Sequence, residues 1–338
     1  MSSYNILMKK KYQNAFLAFG IVVLVLMVSQ LDFVQVHDGL ARTGYWFLAV
    51  VALWGLLYVL NTAAWYVIIR SSGRVGVGFW WLYKVSVSGF ALNYATPGGL
   101  MGGEPYRIMS LAPVIGTARA SSSVILYVMT HIFSHFWFWL LSVVLFLLTC
   151  PVNALAAAVL AASGTFCLAG LWFFIVGYRH GVAIRALRLA ARLPLVRGRV
   201  VRFVWRHRSQ LHTIDSQVAA LHGQNRRTLV LAVCLEVLCR VLSAAEIYFV
   251  LLVAMPHVSY ATCVLMLAFT SLFANMLFFM PLQLGGREGG FVMSAVGLGL
   301  TAGQGIFVAL IVRLRELVWT GLGLMLIKVG RSGGRHGE

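Results

Sequence analysis

Charge is what this sequence has least of. Charged residues make up 11% of the 338, only nine are acidic, 60% are hydrophobic, and the mean hydropathy is +0.87. A chain so poor in charge cannot hide its apolar surface in one aqueous core. That excludes a water-soluble globular protein and requires lipid as solvent for most of its length. Cysteine is scarce as well. Cys150, Cys167, Cys234, Cys239 and Cys263 lie in or at the ends of apolar runs without CxxC spacing, so they point to no metal and say little about redox compartment. There is no Walker, dinucleotide-binding or nucleophile-elbow motif, and no cofactor is expected. His131 and His135 stand four apart on one helical face, but no carboxylate or third histidine accompanies them in that run. Polar contact between helices is expected there, and no metal.

What is present is a series of apolar runs. Spans are predicted over Asn14 to Leu31, Tyr45 to Ile69, Trp80 to Thr96, Ser122 to Leu148, Val152 to Gly177, Thr228 to Ala254, Tyr260 to Met280 and Gly305 to Ile327. Each is close to the ~20 residues that cross a bilayer. Lys9, Lys10 and Lys11 precede the first run, and no small-x-small cleavage site follows it, so an uncleaved first span is expected. The net charge of +18 is concentrated, with nine arginines between Arg179 and Arg208. Directly after an apolar run, such a cluster reads as the positive-inside rule and contact with anionic lipid headgroups, and nucleic acid is not an expected partner.

Two of the runs are broken in the same way. Asn93 to Arg107 reads NYATPGGLMGGEPYR and Asn275 to Glu288 reads NMLFFMPLQLGGRE, with the same interval from Pro97 to Glu104 as from Pro281 to Glu288. Proline removes a backbone donor and glycine lowers helix propensity, so each segment unwinds a helix at a chosen depth. The segments after the breaks, Pro105 to Gly116 and Gly289 to Ala302, are too short to cross. Placing every basic cluster on the cytoplasmic side makes 80–116 enter from and return to the cytoplasm, and 260–302 enter from and return to the outside. The expected fold is therefore an all-α polytopic membrane protein with inverted repeats and two re-entrant hairpins, its N- and C-termini cytoplasmic. Its parts are a first half (1–177), a basic amphipathic segment (178–227), a second half (228–328) and a disordered tail (329–338).

Five of the nine acids, Glu104, Glu236, Glu246, Glu288 and Glu316, sit inside apolar runs or their breaks, among the cations Lys84, Arg107, Arg240, Arg287, Arg313 and Arg315. A charge at the bilayer centre costs ~2.5 to 3.5 kcal/mol on insertion scales, so these imply pairing or a wet cavity. Glu236 with Arg240 (i,i+4) and Arg313 with Glu316 (i,i+3) can close within one helix. Glu104 with Pro105, and Glu288, read as starts of half-helices. Freed amides at Gly98, Gly99, Gly102, Gly103, Gly285 and Gly286 could cradle an anion.

These residues resemble the flippase-like membrane domain of lysylphosphatidylglycerol synthases and its stand-alone bacterial and archaeal relatives. The resemblance lies in N-x3-P-G-G-x2-G-G-E-P-x-R from Asn93 to Arg107, in P-x-Q-x-G-G-R-E-G-G from Pro281 to Gly290, and in Arg313. It implies a translocase of a phospholipid or related amphiphile in the bacterial cytoplasmic membrane, with Glu104, Arg107, Arg287, Glu288 and Arg313 as the polar lining. Asn93, Asn275 and Glu316 complete the expected substrate-binding set. In the two-domain synthases an aminoacyl-transferase domain follows, whereas this sequence ends at Glu338, so lipid aminoacylation is not expected of it. Two other readings stand beside transport. One is a membrane-embedded enzyme or accessory subunit for a polyprenyl-phosphate, glycan-lipid or hopanoid pathway, and the other is a non-catalytic scaffold. Gly299 and Gly303 allow a homodimer, and a partner enzyme is equally compatible with the sequence.

Overall fold

A computed structural model of the chain describes residues 33–71, 73, 76–95, 102–180, 226–255, 257–276 and 286–329, together with Val22, Val25 and Ser29. Among the described residues every regular element is an α-helix. In order they are α1 (Phe33–Thr43), α2 (Trp46–Ser71), α3 (Phe79–Ala95), α4 (Gly103–Ile115), α5 (Thr117–Thr149), α6 (Ala154–His180), α7 (Arg226–Leu252), α8 (Tyr260–Met276), α9 (Gly286–Gly297) and α10 (Ala302–Val329). Four of them, α2, α5, α7 and the Ala154–Ile175 part of α6, are long and apolar enough to cross a membrane. The protein is an all-helical membrane protein. Helix α10 has 28 residues but carries Arg313, Arg315 and Glu316 along its length.

The expected spans from Tyr45 onward differ from these helices only at their ends. Most of the first expected span, the bulk of the basic segment and nearly all of the tail lie outside the described residues. Helix α1 was not expected. Its 11 residues include His37, Asp38 and Arg42, too few and too polar for a span, yet Gly39 is buried against Leu310 of α10. Side chains close some helix starts. Asn153 Oδ1 accepts the Ala156 N–H at 2.8 Å at the start of α6. At α10, Gln304 Oε1 accepts from the Thr301 N–H at 2.8 Å while Thr301 Oγ1 accepts from the Gln304 N–H at 3.2 Å, a capping box that satisfies two otherwise orphaned donors.

The proline- and glycine-rich segments of the sequence lie between α3 and α4 and between α8 and α9. Helices α3 and α8 stop at Ala95 and Met276, and α4 and α9 begin at Gly103 and Gly286. Residues 96–101 and 277–285, which hold Pro97, Gly98, Gly99, Pro281 and Gly285, lie outside the described residues. With 13 and 12 residues, α4 and α9 reach only about 18–20 Å at 1.5 Å per residue, less than the ~30 Å hydrocarbon core. Each is followed by a turn at a positive-φ glycine, Gly116 (φ 83°) before α5 and Gly299 (φ 81°) before α10.

Helix contacts follow one pattern. Exchange α1–α5 with α6–α10 in order and nearly every contact finds a counterpart. Helix α3 packs on α10 as α8 packs on α5, α4 on α5 as α9 on α10, α3 on α4 as α8 on α9, and α6 on α5 as α1 on α10, while α2 lies along α7. Lipid tails are as apolar as leucine, so close packing and interhelical hydrogen bonds hold such a bundle together. Glycines mark the tightest approaches. A Cβ at Gly323 would meet Ala91 Cβ at 2.6 Å and the Val87 carbonyl at 2.8 Å, and one at Gly305 would meet Val292 Cα at 2.8 Å. Among the described residues the two larger cores lie around Trp65, Leu92, Leu111 and Tyr127, and around Ile247, Phe291 and Val308.

Candidate functional site

Around the first break, Asn93 is the organising side chain. Its Nδ2 donates to Glu104 Oε1 at 2.9 Å and its Oδ1 accepts the Gly103 N–H at 2.7 Å, so one amide fixes both the start of α4 and its first carboxylate. That takes the Gly103 amide out of any anion cradle. Alanine cannot stand at 103, because its Cβ would lie 2.1 Å from the Gly89 carbonyl oxygen. Arg107, one turn on, is 1% exposed. Its Nη1 lies 3.6 Å from Glu104 Oε1, and its guanidinium sits 4.6 Å from the Phe90 ring centre, 5.3 Å from Tyr127 and 5.8 Å from Trp65. A cation desolvated among three aromatic faces draws part of its compensation from their quadrupoles.

Around the second break, three guanidinium groups meet three carboxylates. Arg287 pairs with Glu316, Arg313 Nη2 donates to Glu288 Oε1 at 2.8 Å, and Arg315 grips Glu246 with Nε and Nη2 at 2.8 and 2.9 Å. Trp54 of α2 also donates to Glu246, at 2.8 Å, and its ring centre lies 3.7 Å from the Arg315 guanidinium. The planar fork of arginine suits such two-point contacts. The pairs differ in access. Arg315 and Glu246 are 3% and 4% exposed at the side chain, whereas Arg313 and Glu288 are 14% and 40% exposed.

The two breaks are joined through α3. Tyr94, next to Asn93, accepts a hydrogen bond from Arg313 Nη1 at 3.1 Å. The polar path thus runs from Glu104 to Asn93, on through adjacent Tyr94, to Arg313 and Glu288.

A third cluster lies between α5 and α7. His131 Nδ1 is 2.7 Å from Glu236 Oε2, while Arg240 donates to Ser134 Oγ at 2.9 Å and to the His131 carbonyl at 3.0 Å. Among the described residues no group of three or more His, Cys, Asp or Glu could hold a metal ion.

The family model of the lysylphosphatidylglycerol synthase TM region matches residues 15–323, spanning both breaks and every charged residue of the three clusters. The chain belongs to this family. Searches of curated proteins and of solved structures return no match.

Within this member of the lysylphosphatidylglycerol synthase TM-region family, the structure brings together most of the residues marked in the sequence. Asn93, Glu104 and Arg107 form one group, and Arg287, Glu288, Arg313 and Glu316 the other. Gly102, Gly103 and Gly286 are buried at the starts of the half-helices, while Gly98, Gly99 and Gly285 lie outside the described residues. Asn275 stands apart: it is exposed and donates to the Ser271 carbonyl of its own helix at 2.8 Å. Both expected pairings within a helix are corrected. Arg313 and Glu316 turn to Glu288 and Arg287 on α9, and Glu236 and Arg240 turn to α5. A half-helix pointing into a bundle brings partners from neighbouring elements, and these outcompete i,i+3 and i,i+4 neighbours held side by side. Tyr94 and Trp54 were not marked in the sequence, and no signal there distinguishes them from other aromatics.

Proposed function

We propose that this protein moves a phospholipid or related amphiphile between membrane leaflets, its two broken hairpins entering from opposite faces of a bacterial cytoplasmic membrane. The observation that carries this reading is the Asn93–Tyr94 bridge. It gathers the charged groups of both breaks at the α3–α10 crossing while leaving Glu288 half-open beside Arg313. A headgroup phosphate would displace Glu288 from Arg313 and contact Arg287, and a cationic headgroup would take Glu288 or Glu104. The tails stay in lipid.

The exchange symmetry of the contacts supports two five-helix repeats, with α6 opening the second. In each repeat the hairpin returns to its own side; α6, α7 and α10 are then the three crossings of the second repeat, and α2, α5 and the span expected over Asn14 to Leu31 those of the first, and an odd number inverts the repeat that follows. The two hairpins then face each other from opposite leaflets, the arrangement in which rocking of one repeat against the other alternates access to a midplane site. The same parity leaves both termini cytoplasmic and gives the Arg-rich segment anionic headgroups as neighbours.

The test is reconstitution into liposomes with fluorophore-tailed phosphatidylglycerol, phosphatidylethanolamine or lysylphosphatidylglycerol, with leaflet occupancy read by dithionite quenching. Transport is expected for at least one lipid and is lost in Glu288→Gln and Arg313→Gln. A chemically altered lipid would favour the embedded-enzyme reading. A phenotype indifferent to both substitutions would favour a scaffold.

A further inference from the structure

The buried polar groups that no pair consumes are concentrated in one place. Among the described residues eight buried side-chain atoms lack a hydrogen-bond partner, and seven belong to a single neighbourhood of α2, α4, α5 and α7: Asn61 Oδ1, Trp65 Nε1, Glu104 Oε2, Arg107 Nε, Tyr127 Oη, His135 Nδ1 and Glu236 Oε1. An orphaned buried polar atom costs about 1–3 kcal/mol, so a cluster of them in a membrane bundle marks a place built for something other than stability. At its centre are His131 and Glu236, 2.7 Å apart, with Glu236 1% exposed.

We propose that His131 and Glu236 form a proton-binding site, and that the proton is the ion coupled to transport. Histidine is the side chain that ordinarily changes charge between pH 5 and 8. With His131 neutral, Glu236 negative and Arg240 positive, the cluster carries no net charge. One proton shared between His131 Nδ1 and Glu236 Oε2 raises it to +1. Glu236 Oε1, buried and unpartnered, is a second acceptor on the same carboxylate, and the His131 and His135 ring centres are 5.4 Å apart.

The charged and titratable groups facing the pair are few. Helix α5 brings Tyr127 and His135, α7 brings Cys239 and Arg240, and α4 brings Arg107, while α2 brings the neutral amide of Asn61. Helix α6 meets α5 instead through Phe133 and Phe136, α8 through Trp139 and Ser271, and α10 reaches α7 with Arg315 only at Glu246. Tyr127 is the link to the hairpins. Its ring centre is 5.3 Å from the Arg107 guanidinium and 6.2 Å from the His131 ring. A positive charge arriving at His131 therefore repels Arg107 across one aromatic ring and weakens its hold among the aromatic faces beside Glu104, at the break where α4 begins.

The coupling role rests on the transport reading, but the binding site does not, and two measurements separate them. The first follows histidine ring nitrogens by magnetic resonance in 15N-histidine-labelled protein in lipid nanodiscs, with His131 assigned by the spectrum missing in His131→Asn. One titration between pH 5 and 8 is expected for His131, absent in Glu236→Gln and kept in His37→Gln, a substitution on exposed α1. Ring nitrogens that stay fixed across that range, or that titrate unchanged in Glu236→Gln, would overturn the site.

The second uses liposomes of phosphatidylethanolamine and phosphatidylglycerol with fluorophore-tailed phosphatidylglycerol, the membrane potential being clamped at zero with potassium and valinomycin. At one proton per lipid, a gradient of one pH unit shifts the steady-state leaflet ratio about tenfold, and Glu236→Gln abolishes the shift. Movement indifferent to the gradient refutes coupling. No movement under any condition refutes the transport reading and leaves the titration to decide the site alone.

Discussion

Glu246→Gln takes one charge from a carboxylate that accepts three donors, Arg315 Nε, Arg315 Nη2 and Trp54 Nε1, all within 2.9 Å. The glutamine fits the space but must aim an N–H at one of those donors, and it leaves Arg315 buried without its principal counter-charge. Breaking a buried ion pair from one side costs about 3–5 kcal/mol. Glu316 Oε1, 3.8 Å from Arg315 Nη1, offsets part of this, although it is already engaged by Arg287. The lower end, about 3 kcal/mol, is therefore expected, which for a chain of this size is a fall of roughly 4 °C in Tm. The double variant Glu246→Leu with Arg315→Met removes both charges and keeps the volume. It leaves only the Trp54 N–H unpaired and should cost about 1 kcal/mol, less than either single change. Thermal unfolding in detergent, followed by circular dichroism, measures all of these variants. A double variant whose loss equals the sum of the two singles would refute the idea that the pair is an isolated, mutually compensating unit.

The other substitutions divide by burial in the same way. Glu288→Gln, at a carboxylate 40% exposed, should shift stability by no more than about 1 kcal/mol while abolishing lipid movement in liposomes. Gly103→Ala drives a Cβ onto the Gly89 carbonyl and should cost about 3 kcal/mol, whereas Gly289→Ala, with nothing within 4 Å, should leave the unfolding midpoint unchanged. Asn93→Ala loses a bond to a carboxylate and another to a backbone amide, about 2–3 kcal/mol together, while Asn275→Ala should stay within about 0.5 kcal/mol. Gly116→Ala puts a side chain at φ 83°, ψ 150°, a conformation close to one that is essentially glycine-only, and should cost about 1–3 kcal/mol by the same assay.

Spans and breaks were legible because lipid leaves the backbone no partner but itself. A segment that stops being helical must announce it with proline and glycine, as Gly102 does just before α4. The embedded glutamates were legible for the same reason: acids are rare in such runs. Apart from Glu104, whose partner Arg107 is three residues on in α4, their partners were not, since sequence spacing sees only neighbours on one helix, and the other pairs join α9 to α10, α7 to α10 and α5 to α7. Asn275 makes no contact matching that of Asn93 among the described residues, and register accounts for the difference. Asn93 precedes its proline by four residues and Asn275 by six, and two residues are about 200° of helix rotation, enough to turn the amide to the far face. The start of α10 at Ala302 is written in Thr301-x-x-Gln304, a capping box that lies just ahead of the apolar run beginning at Gly305.

The halves share contacts without sharing charge. Counted from the glutamate of each break, Arg107 stands where the second half has Phe291, and Gly103 stands where it has Arg287. Arg107 and Phe291 are both essentially buried, 1% and 2% exposed. Arg107 rests among three aromatic rings, and Phe291 belongs to the apolar core with Ile247 and Val308. If transport proceeds by each repeat adopting the other's conformation, as inverted repeats do, Arg107 must enter an environment like the one that now holds Phe291, which offers a guanidinium far less. The two access states therefore cannot be equal in energy, and the state with Arg107 against Glu104 and its aromatic rings is the one at rest. Leaving it requires something that weakens that hold, either a headgroup competing for Glu104 or a positive charge arriving behind Tyr127. Both act on the same residue from opposite sides, which is how a cargo site and a proton site separated by a single aromatic ring can be coupled without any larger rearrangement between them.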